Sequence, residues 1–402
     1  MSRRTLLIFT GLMLATLVLS ACGPKATEAP MATEAADWGV MTFAPGTEVK
    51  IGVSSALAGA YAVYGQDMLN GVELAIADFG DLKGWTVVSE GGDDGCEGAP
   101  AVTVAERFVA DPSLLAVVGP MCSGSAVPAA DIYSDNHVVW VSPSVTAVVV
   151  ASKGYENFFR TVANDALQAK VTVDFLAGDL GITKLGIIHD SSIYGQGIAD
   201  AVNADFESAG GTITAFEGIT RGDMDFSAIV SNMLDGDPEA IYFGGMDAEG
   251  SLIVNQLRAA GYEGVFFGPD GIKSKPTFID SSGGAADKAY ATFGAVGGAT
   301  GYDDWETRIT AEYGAPVAYG PGSYDSATII LKAAASVAQV DAAGNLVIDR
   351  KAFAEAIRAT PFDGITGHLE FTDTGDLAAV SITVFQVEND DFVEVKKVDF
   401  GQ

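Results

Sequence analysis

Short apolar runs alternate with amphipathic segments along most of this chain, and that alternation constrains the fold more than any other feature. Runs such as Leu114–Val118 and Ala240–Phe243 have the length and uniform apolar character of strands that are buried on both faces. Between the strands lie segments such as Gln66–Phe79, whose apolar residues recur with the period of a helix. Strands that alternate with helices predict an α/β fold with parallel sheets covered by helices on both sides.

The strand–helix pattern runs through twice, which predicts two lobes. The second series begins at the strand Lys184–Ile188, after a short link near Thr161–Asn164. Two series of similar size indicate two doubly wound units. The chain from Thr292 onward is less regular, and we expect it to contain two helices and a closing β-hairpin, at Tyr324–Ala338, Lys351–Ala359 and Asp373–Asp376.

The first 21 residues have the layout of a secretory signal peptide. Arg3 and Arg4 precede an apolar run that is shorter than the roughly 20 residues of a membrane-spanning helix. The Leu-Ser-Ala-Cys sequence that follows is similar to the lipobox at which bacterial lipoproteins are cleaved and diacylated, here on Cys22. An ordinary cleaved signal with a cysteine nearby is the alternative. Residues 22–47, rich in Ala, Thr, Glu and Pro, are predicted to be a flexible tether.

Charge and cysteine content exclude several classes of function. The 402-residue chain has 22 Lys and Arg against 53 Asp and Glu, a formal net charge of −31. Such a chain lacks the clustered cations that bind nucleic acid or an anionic lipid surface. Besides Cys22, the sequence contains Cys96 and Cys122, which in an exported protein either form a disulfide or remain as buried thiols. Two Cys and three scattered His lack the spacing of a zinc site.

The motifs expected of an enzyme are missing from the sequence. It has no Gly-x-Ser-x-Gly nucleophile elbow and no P-loop for binding a nucleoside triphosphate. The Gly-x-Gly at Gly195–Gly197 has Asp200 where a dinucleotide-binding loop needs Gly or Ala. The three histidines have no evident Ser or Cys partner. We therefore predict a protein that is not an enzyme and needs neither a metal nor a cofactor.

Eight motifs follow one another through the body in a fixed order, at Ser54–Gly59 with Tyr64-Gly65, Asp93–Cys96, Gly119–Ser123, Ser142–Thr146, His189-Asp190 with Tyr194-Gly195, Asp225–Ser227, Phe243–Gly245 and Gly268–Gly271. In order and spacing they resemble the leucine/isoleucine/valine-binding protein family, the type I periplasmic substrate-binding proteins of branched-chain amino acid ABC transporters. The resemblance extends from about Val49 to Val395.

This resemblance implies a type I periplasmic binding protein fold. Two doubly wound parallel-sheet lobes would be joined by three hinge crossovers and would close over an amino acid. Lobe 1 would comprise residues 48–163 and 295–373, and lobe 2 residues 164–294 and 374–402. The family also has a disulfide at the positions that match Cys96 and Cys122.

An amino acid zwitterion needs donors for its carboxylate and an anion for its ammonium. Ser123 opens a helix, whose first N–H groups and dipole favour an anion, and Ser144 and Thr146 follow the next strand. At positions that match the family, these three residues are predicted to bind the carboxylate, with N-capping as the alternative role. Asp270, where the family often has Glu, is predicted to bind the ammonium, and a turn-forming Asp is the alternative.

Two tyrosines and a methionine are expected to shape the pocket for the ligand side chain. Tyr64 and Tyr194 follow the first strand of each lobe, where their rings could cover a small ligand, with core burial as the alternative. Met246 stands where the leucine-binding branch of the family commonly has Tyr. Its flexible, apolar side chain would make a different or broader pocket.

The residues and the resemblance together predict an extracytoplasmic lipoprotein, periplasmic or at the cell surface. It would be a monomer that binds a branched-chain or other aliphatic amino acid and delivers it to an ABC permease with separate ATPase subunits. The alternative is a receptor subunit of a signalling system that senses an amino acid or a small amide or carboxylate.

Overall fold

The computed structural model describes residues 38–294 and 299–401. Three predictions concern residues outside the described part: the signal peptide over residues 1–21, the lipidation site Cys22, and residues 22–37 of the tether.

Strands and helices alternate through the body as the sequence pattern predicts. The strands are β1 (Val40–Phe43), β2 (Val49–Ser55), β3 (Val87–Asp93), β4 (Leu114–Val118), β5 (Trp140–Ser142), β6 (Phe158–Arg160), β7 (Lys184–His189), β8 (Thr212–Gly218), β9 (Ala240–Gly244), β10 (Val265–Gly268), β11 (Tyr290–Gly294), β12 (Gln339–Val340), β13 (Leu346–Asp349), β14 (Phe362–Gly364), β15 (Gly367–Leu369), β16 (Val380–Glu388) and β17 (Asp391–Phe400). The helices are α1 (Ala62–Phe79), α2 (Gly98–Ala110), α3 (Ser123–Asp135), α4 (Val148–Ala151), α5 (Asp165–Val173), α6 (Ile193–Ser208), α7 (Ser227–Asp235), α8 (Asp247–Ala259), α9 (Tyr302–Tyr313), α10 (Gly320–Val337) and α11 (Arg350–Ala359). Short helical turns lie at Asp174–Asp179, Asp270–Ile272, Lys275–Ile279 and Asp280–Ser282.

Two parallel sheets form the centres of the two lobes. The sheet of lobe 1 has the strand order β3-β2-β4-β5-β6, and every neighbouring pair in it is parallel. The sheet of lobe 2 has the order β8-β7-β9-β10-β11, also parallel, and is extended by the antiparallel strands β16 and β17. The predicted α/β class with two parallel-sheet lobes is therefore confirmed.

The chain passes between the two sheets three times. The first passage runs from β6 to β7 and includes α5, and the third runs from β15 to β16. The second leaves β11 and returns to lobe 1, where α10 packs along α1. This second passage includes residues 295–298, which lie outside the described part. The three crossovers implied by the family resemblance are thus present.

The closing β-hairpin lies later in the chain than predicted. Around Asp373–Asp376 the chain forms a tight turn, flanked by a bridge between Phe371 and Leu377. The long hairpin instead joins β16 to β17 through Asn389 and Asp390, whose φ angles are 52° and 61°. Positive φ at both central residues is typical of a type I′ turn, which suits the twist of the paired strands and which Asn and Asp tolerate.

The predicted tether, residues 22–47, extends too far towards the folded body. Val40–Phe43 forms β1, which pairs antiparallel with β13. Met41 and Phe43 are 4% and 2% exposed, whereas Val40 and Thr42 face solvent. This alternation is the period of a half-buried strand. The segment is therefore part of the lobe 1 core, and its Val-Met-Thr-Phe pattern was the signal for it.

A fully buried arginine joins two of the crossover segments. Arg160, the last residue of β6, is 0% exposed. Its Nε donates to Asp376 Oδ1 at 2.6 Å, and its Nη1 donates to the carbonyls of Val145 and Ala147 at 3.0 and 3.1 Å. Its backbone N–H donates to Gly375 O at 2.9 Å. A buried charge is stable only when it is paired and hydrogen-bonded, so these contacts hold the β5–α4 loop against the third crossover.

Phe43→Ala should lower the free energy of unfolding by about 3 kcal/mol, because it deletes a large side chain from the core. Thr42→Ala, on the exposed face of the same strand, should change it by less than about 0.5 kcal/mol. Urea denaturation followed by circular dichroism measures both values. Equally small effects would show that β1 is not part of the folded body.

Candidate functional site

A cavity of about 490 Å³ lies between the carboxyl ends of the two parallel sheets. Its size falls within the roughly 300–1,000 Å³ of small-molecule sites. Lobe 1 contributes loops that follow β2, β3, β4 and β5, and lobe 2 contributes loops that follow β7, β8, β9 and β10. The lining residues are Tyr61, Cys96–Gly98, Met121–Gly124, Val127, Pro128, Ser144, Asp190–Tyr194, Arg221, Met246, Asp270 and Tyr319. Open α/β sheets bind their ligands at this edge.

The cavity wall contains most of the residues that the sequence analysis selected. Those that line it are Ser123, Ser144, Tyr194, Met246 and Asp270. The other two, Tyr64 and Thr146, are not among the lining residues.

Lobe 1 presents the start of α3 to the cavity. Ser123 and Gly124 lie in the first turn of this helix, where backbone N–H groups have no acceptor within the helix and the dipole favours an anion. Ser123 is 2% exposed, and its Oγ accepts a hydrogen bond from the N–H of Ala147 at 3.4 Å. The start of α3 therefore has the donors that a carboxylate needs.

A disulfide holds this helix start in place. Cys122, the residue before α3, is bonded to Cys96, which lies just before α2. The two residues are 26 positions apart in sequence, and their Cα atoms are 5.2 Å apart. The disulfide expected from the cysteine content and from the family resemblance is present, and both cysteines line the cavity.

Ser144 supports the start of α3, and Thr146 supports the first crossover. The hydroxyl of Ser144 donates to Met121 O at 2.7 Å, which fixes the β5–α4 loop beside the loop that precedes α3. Thr146 is 0% exposed and does not line the cavity, and its carbonyl accepts from the N–H of Asp165 at 3.0 Å. In this structure Thr146 supports the first crossover, and its predicted contact with the ligand stays a prediction.

Lobe 2 presents a buried carboxylate opposite α3. Asp270, which follows β10, is 5% exposed. Its Oδ1 accepts from Gln168 Nε2 at 3.0 Å and from the Tyr194 hydroxyl at 2.7 Å. Burial raises the pKa of Asp270, and the two donors oppose this rise by stabilising the charged form. A buried carboxylate with room for another donor is suited to bind a ligand cation.

The backbone beside Asp270 approaches its neighbours closely. Gly271 donates its N–H to the Tyr194 hydroxyl at 2.9 Å, so that this hydroxyl serves both Gly271 and Asp270. A Cβ on Gly271 would lie 2.5 Å from Gly245 O and 3.0 Å from Met246 Sδ. Glycine is needed here for space, and the thioether of Met246 fills the wall beside it.

Tyr64 bridges the two lobes. Its hydroxyl donates to the carboxylate of Asp247, the first residue of α8, and lies 3.2 Å from Thr277 Oγ1. Its ring centroid is 5.7 Å from that of Tyr319. Burial and the Asp247 charge raise the pKa of Tyr64, so the hydroxyl remains a donor at neutral pH. Tyr64 therefore joins the two lobes in this structure, and its predicted contact with the ligand stays a prediction.

A second polar contact crosses the cleft at the cavity mouth. Arg221, in the loop after β8, donates from Nη2 to Glu97 Oε1 of lobe 1 at 2.6 Å. The side chain of Arg221 is 28% exposed and that of Glu97 is 59% exposed. Exposed ion pairs contribute roughly 0–1 kcal/mol, so this pair adds little to the stability of the contact between the lobes.

Tyr319 reaches the cavity from the segment that precedes α10. The carboxylate of Asp67, on α1, accepts the backbone N–H groups of Val317, Ala318, Tyr319 and Gly320 at 2.7–3.1 Å. Four such bonds fix the backbone around Tyr319, whose ring is 6% exposed. The ring of Tyr319 therefore forms an aromatic part of the cavity wall, and the carboxylate of Asp67, outside the cavity, holds its backbone in place.

Several residues of the site were missed by the sequence analysis. Tyr319 lies just before Gly320-Pro321, a helix-start signal that places it at the end of a loop. Tyr61 and Arg221 each follow a strand at the edge where ligands bind, and this position was the available signal. Gln168 carries no such signal, because its contact with Asp270 spans 102 positions.

Comparisons with known proteins agree with this architecture. A profile of the periplasmic binding protein family matches residues 48–391. The chain therefore belongs to the periplasmic binding protein family, whose members are substrate-binding proteins. Within the part of the chain that the structure describes, no helix is long and apolar enough to span a membrane.

Individual relatives cover nearly the same region. The leucine-, isoleucine-, valine-, threonine- and alanine-binding protein of Pseudomonas aeruginosa is 33% identical over 85% of this chain and 90% of its own length. The structure of a leucine-binding protein from Thermotoga maritima superposes with a TM-score of 0.80 at 25% identity, over 87% of this chain and 98% of that one. The structure of the branched-chain amino acid transporter substrate-binding protein of Streptococcus pneumoniae, in complex with isoleucine, superposes with a TM-score of 0.78 at 24% identity. The superposition covers 88% of this chain and 100% of that one.

Tyr64→Phe should open the protein, because it removes the bond to Asp247 and keeps the ring. We expect a larger radius of gyration in small-angle X-ray scattering. A double-mutant cycle with Asp247→Asn should give a coupling of about 1 kcal/mol or more in the free energy of unfolding.

Tyr155→Phe is the matched control for Tyr64→Phe. Its hydroxyl also donates to a carboxylate, that of Asp131, at 2.5 Å, but both residues belong to lobe 1. The control should leave the radius of gyration unchanged. An unchanged radius in Tyr64→Phe as well would show that this contact does not hold the lobes together.

Proposed function

We propose that this chain is the substrate-binding component of an ABC importer and that it binds a branched-chain or other aliphatic amino acid between its lobes. One observation carries this proposal. The start of α3 on lobe 1 and the buried carboxylate of Asp270 on lobe 2 face the same cavity. The first favours an anion and the second a cation, which is the charge pattern of an α-amino acid.

The rest of the wall supports an apolar ligand side chain. Met121, Val127, Ile193 and Met246 line the cavity together with tyrosine rings. Apolar walls with a few placed polar groups are typical of sites that recognise small molecules. The names of the relatives, which include leucine-, isoleucine-, valine-, threonine- and alanine-binding proteins, support the same class of ligand.

Binding would work through closure of the lobes. Hinge closure is the established motion of periplasmic binding proteins. Here the moving bodies would be residues 48–163 with 295–373 and residues 164–294 with 374–402. A ligand that touches Ser123 and Asp270 together makes both contacts only in the closed form, so its differential affinity shifts the population towards closure. The closed form would then dock on the permease, whose ATPase subunits are separate chains.

The protein would be held outside the cytoplasm by a lipid on Cys22. The Leu-Ser-Ala-Cys sequence after a signal-like segment supports this attachment. A lipid-anchored protein stays close to its permease without spanning the membrane itself.

A thermal-shift panel tests the ligand class. We expect aliphatic amino acids to raise the melting temperature, since a ligand at a hundred times its Kd stabilises by about 2.7 kcal/mol. Asp270→Asn should weaken binding at least about thirtyfold, because the ammonium loses its buried partner. Asp225→Asn, an Asp on the surface of the same lobe, is the matched control and should bind as the wild type does. Stabilisation by a small amide or carboxylate, undiminished in Asp270→Ala, would contradict the amino acid assignment.

Cys22→Ser tests the anchor. In cells, the wild-type protein should fractionate with membranes and incorporate radioactive palmitate, because Cys22 would carry the acyl chains. The variant should lose both properties, and its cell extract should still bind the amino acid. Membrane association that is unchanged in the variant would refute the lipid attachment.

A further inference from the structure

A second buried carboxyl group lies behind Asp270 and is not used by the site described so far. Asp165 is the first residue of α5, in the first crossover, and it is 2% exposed. Neither of its carboxylate oxygens has a hydrogen-bond partner of ordinary geometry among the described residues, and the side-chain hydroxyl that stabilises its charged form is that of Thr146. An unpartnered buried carboxylate is costly when it is charged, so Asp165 needs either a proton or a nearby cation.

Helix α5 aims Asp165 at the same region as a residue that binds Asp270. Gln168 lies three positions later, on the same face of the helix. Its Nε2 donates to Asp270 Oδ1 at 3.0 Å, and its Oε1 accepts from the N–H of Asp270 at 3.3 Å and from Thr292 Oγ1 at 3.0 Å. Asp165 is thus one helical turn away from the amide that holds the Asp270 carboxylate.

The charges around Asp165 favour its neutral form while the site is empty. Burial and the negative charge of Asp270 raise the pKa of Asp165 to about 8. The Thr146 hydroxyl and the Arg160 guanidinium oppose this rise, but Arg160 is already paired with Asp376. The remaining titratable groups that face Asp165 are the phenols of Tyr194 and Tyr242, whose own pKa values are raised, so they stay neutral.

We propose that Asp165 is the second carboxyl group of the ammonium-binding site, protonated while the site is empty and ionised when a ligand ammonium binds to Asp270. This inference rests on the proposed function, since it needs a cationic group in the cavity. In the empty site the pair is one carboxylic acid and one carboxylate. In the complex it is two carboxylates and one ammonium, and one proton leaves to solvent. The ammonium offsets the repulsion between the two carboxylates and so lowers the proton affinity of Asp165. Asp165 acts on the ligand ammonium through the electrostatic interaction of its charge and does not touch the ligand.

The sign of the pH dependence follows from that exchange. Binding that releases a proton becomes stronger as the pH rises towards the pKa of the group in the empty site. We therefore expect the affinity for an amino acid to rise about three- to tenfold between pH 6 and pH 8, since a lowering of the pKa by one unit corresponds to a factor of ten.

Calorimetric titration of the full chain, purified in mild detergent, measures the released protons directly. L-leucine and L-alanine would be titrated at pH 7.5 in phosphate and in Tris, which differ in ionisation enthalpy. A heat that depends on the buffer, with a substantial fraction of a proton released, supports the proposal. Binding with the same heat in both buffers overturns this proposal and leaves the amino acid assignment intact. Absence of binding by every amino acid of the thermal-shift panel overturns both.

Asp165→Asn identifies the group that releases the proton. The variant should still bind, but the buffer dependence and the rise in affinity with pH should disappear. Asp225→Asn, the surface control, should keep both. Proton release that persists in Asp165→Asn overturns the assignment to Asp165. The two-buffer measurement on the wild-type chain remains decisive if Asp165→Asn fails to fold, because a proton count of zero there overturns the proposal without any variant.

Discussion

The buried guanidinium of Arg160 is the interaction on which the arrangement of the site depends. A charge with no exposed surface must be paired within the protein, and Arg160 pairs with Asp376 in the third crossover and donates to two carbonyls of the β5–α4 loop. That loop in turn hydrogen-bonds to Ser123 at the start of α3. The point about which the lobes would move and the wall that would receive the ligand carboxylate are therefore parts of one hydrogen-bonded network.

The proposed site draws on both sheets, and each would supply a different kind of polar group. In lobe 1, backbone N–H groups at the start of α3 provide partial positive charge without any charged side chain. In lobe 2, Asp270 provides full negative charge in a buried position. Each element is held by a neighbouring side chain, the segment before α3 by the hydroxyl of Ser144 and Asp270 by the amide of Gln168. The chemistry of the site is thus divided between the lobes, while its rigidity comes from the segments that connect them.

Sequence reasoning predicted the parallel strands well and the buried polar residues poorly. Leu114–Val118 coincides with β4, because an uninterrupted apolar run has few alternatives in a chain of this type. The helix predicted at Gln66–Phe79 ends where α1 ends but begins four residues earlier at Ala62, since Tyr64 and Gly65 precede the apolar stripe on which the prediction relied. Five predicted site residues line the cavity because their motifs follow strands at its edge. The burial of Asp165 could not be predicted, because an Asp at a helix start is equally typical of an exposed first turn.

The disulfide between Cys96 and Cys122 orders part of the cavity wall before any ligand binds. It links the residues just before α2 and α3, so the backbone at the start of α3 loses conformational freedom when the thiols are oxidised. That entropy is then no longer lost on binding, and a preorganised surface binds its ligand more tightly than a mobile one. The redox state of the compartment would thus help to set the affinity of the protein for its ligand, although the disulfide carries no charge and transfers no proton.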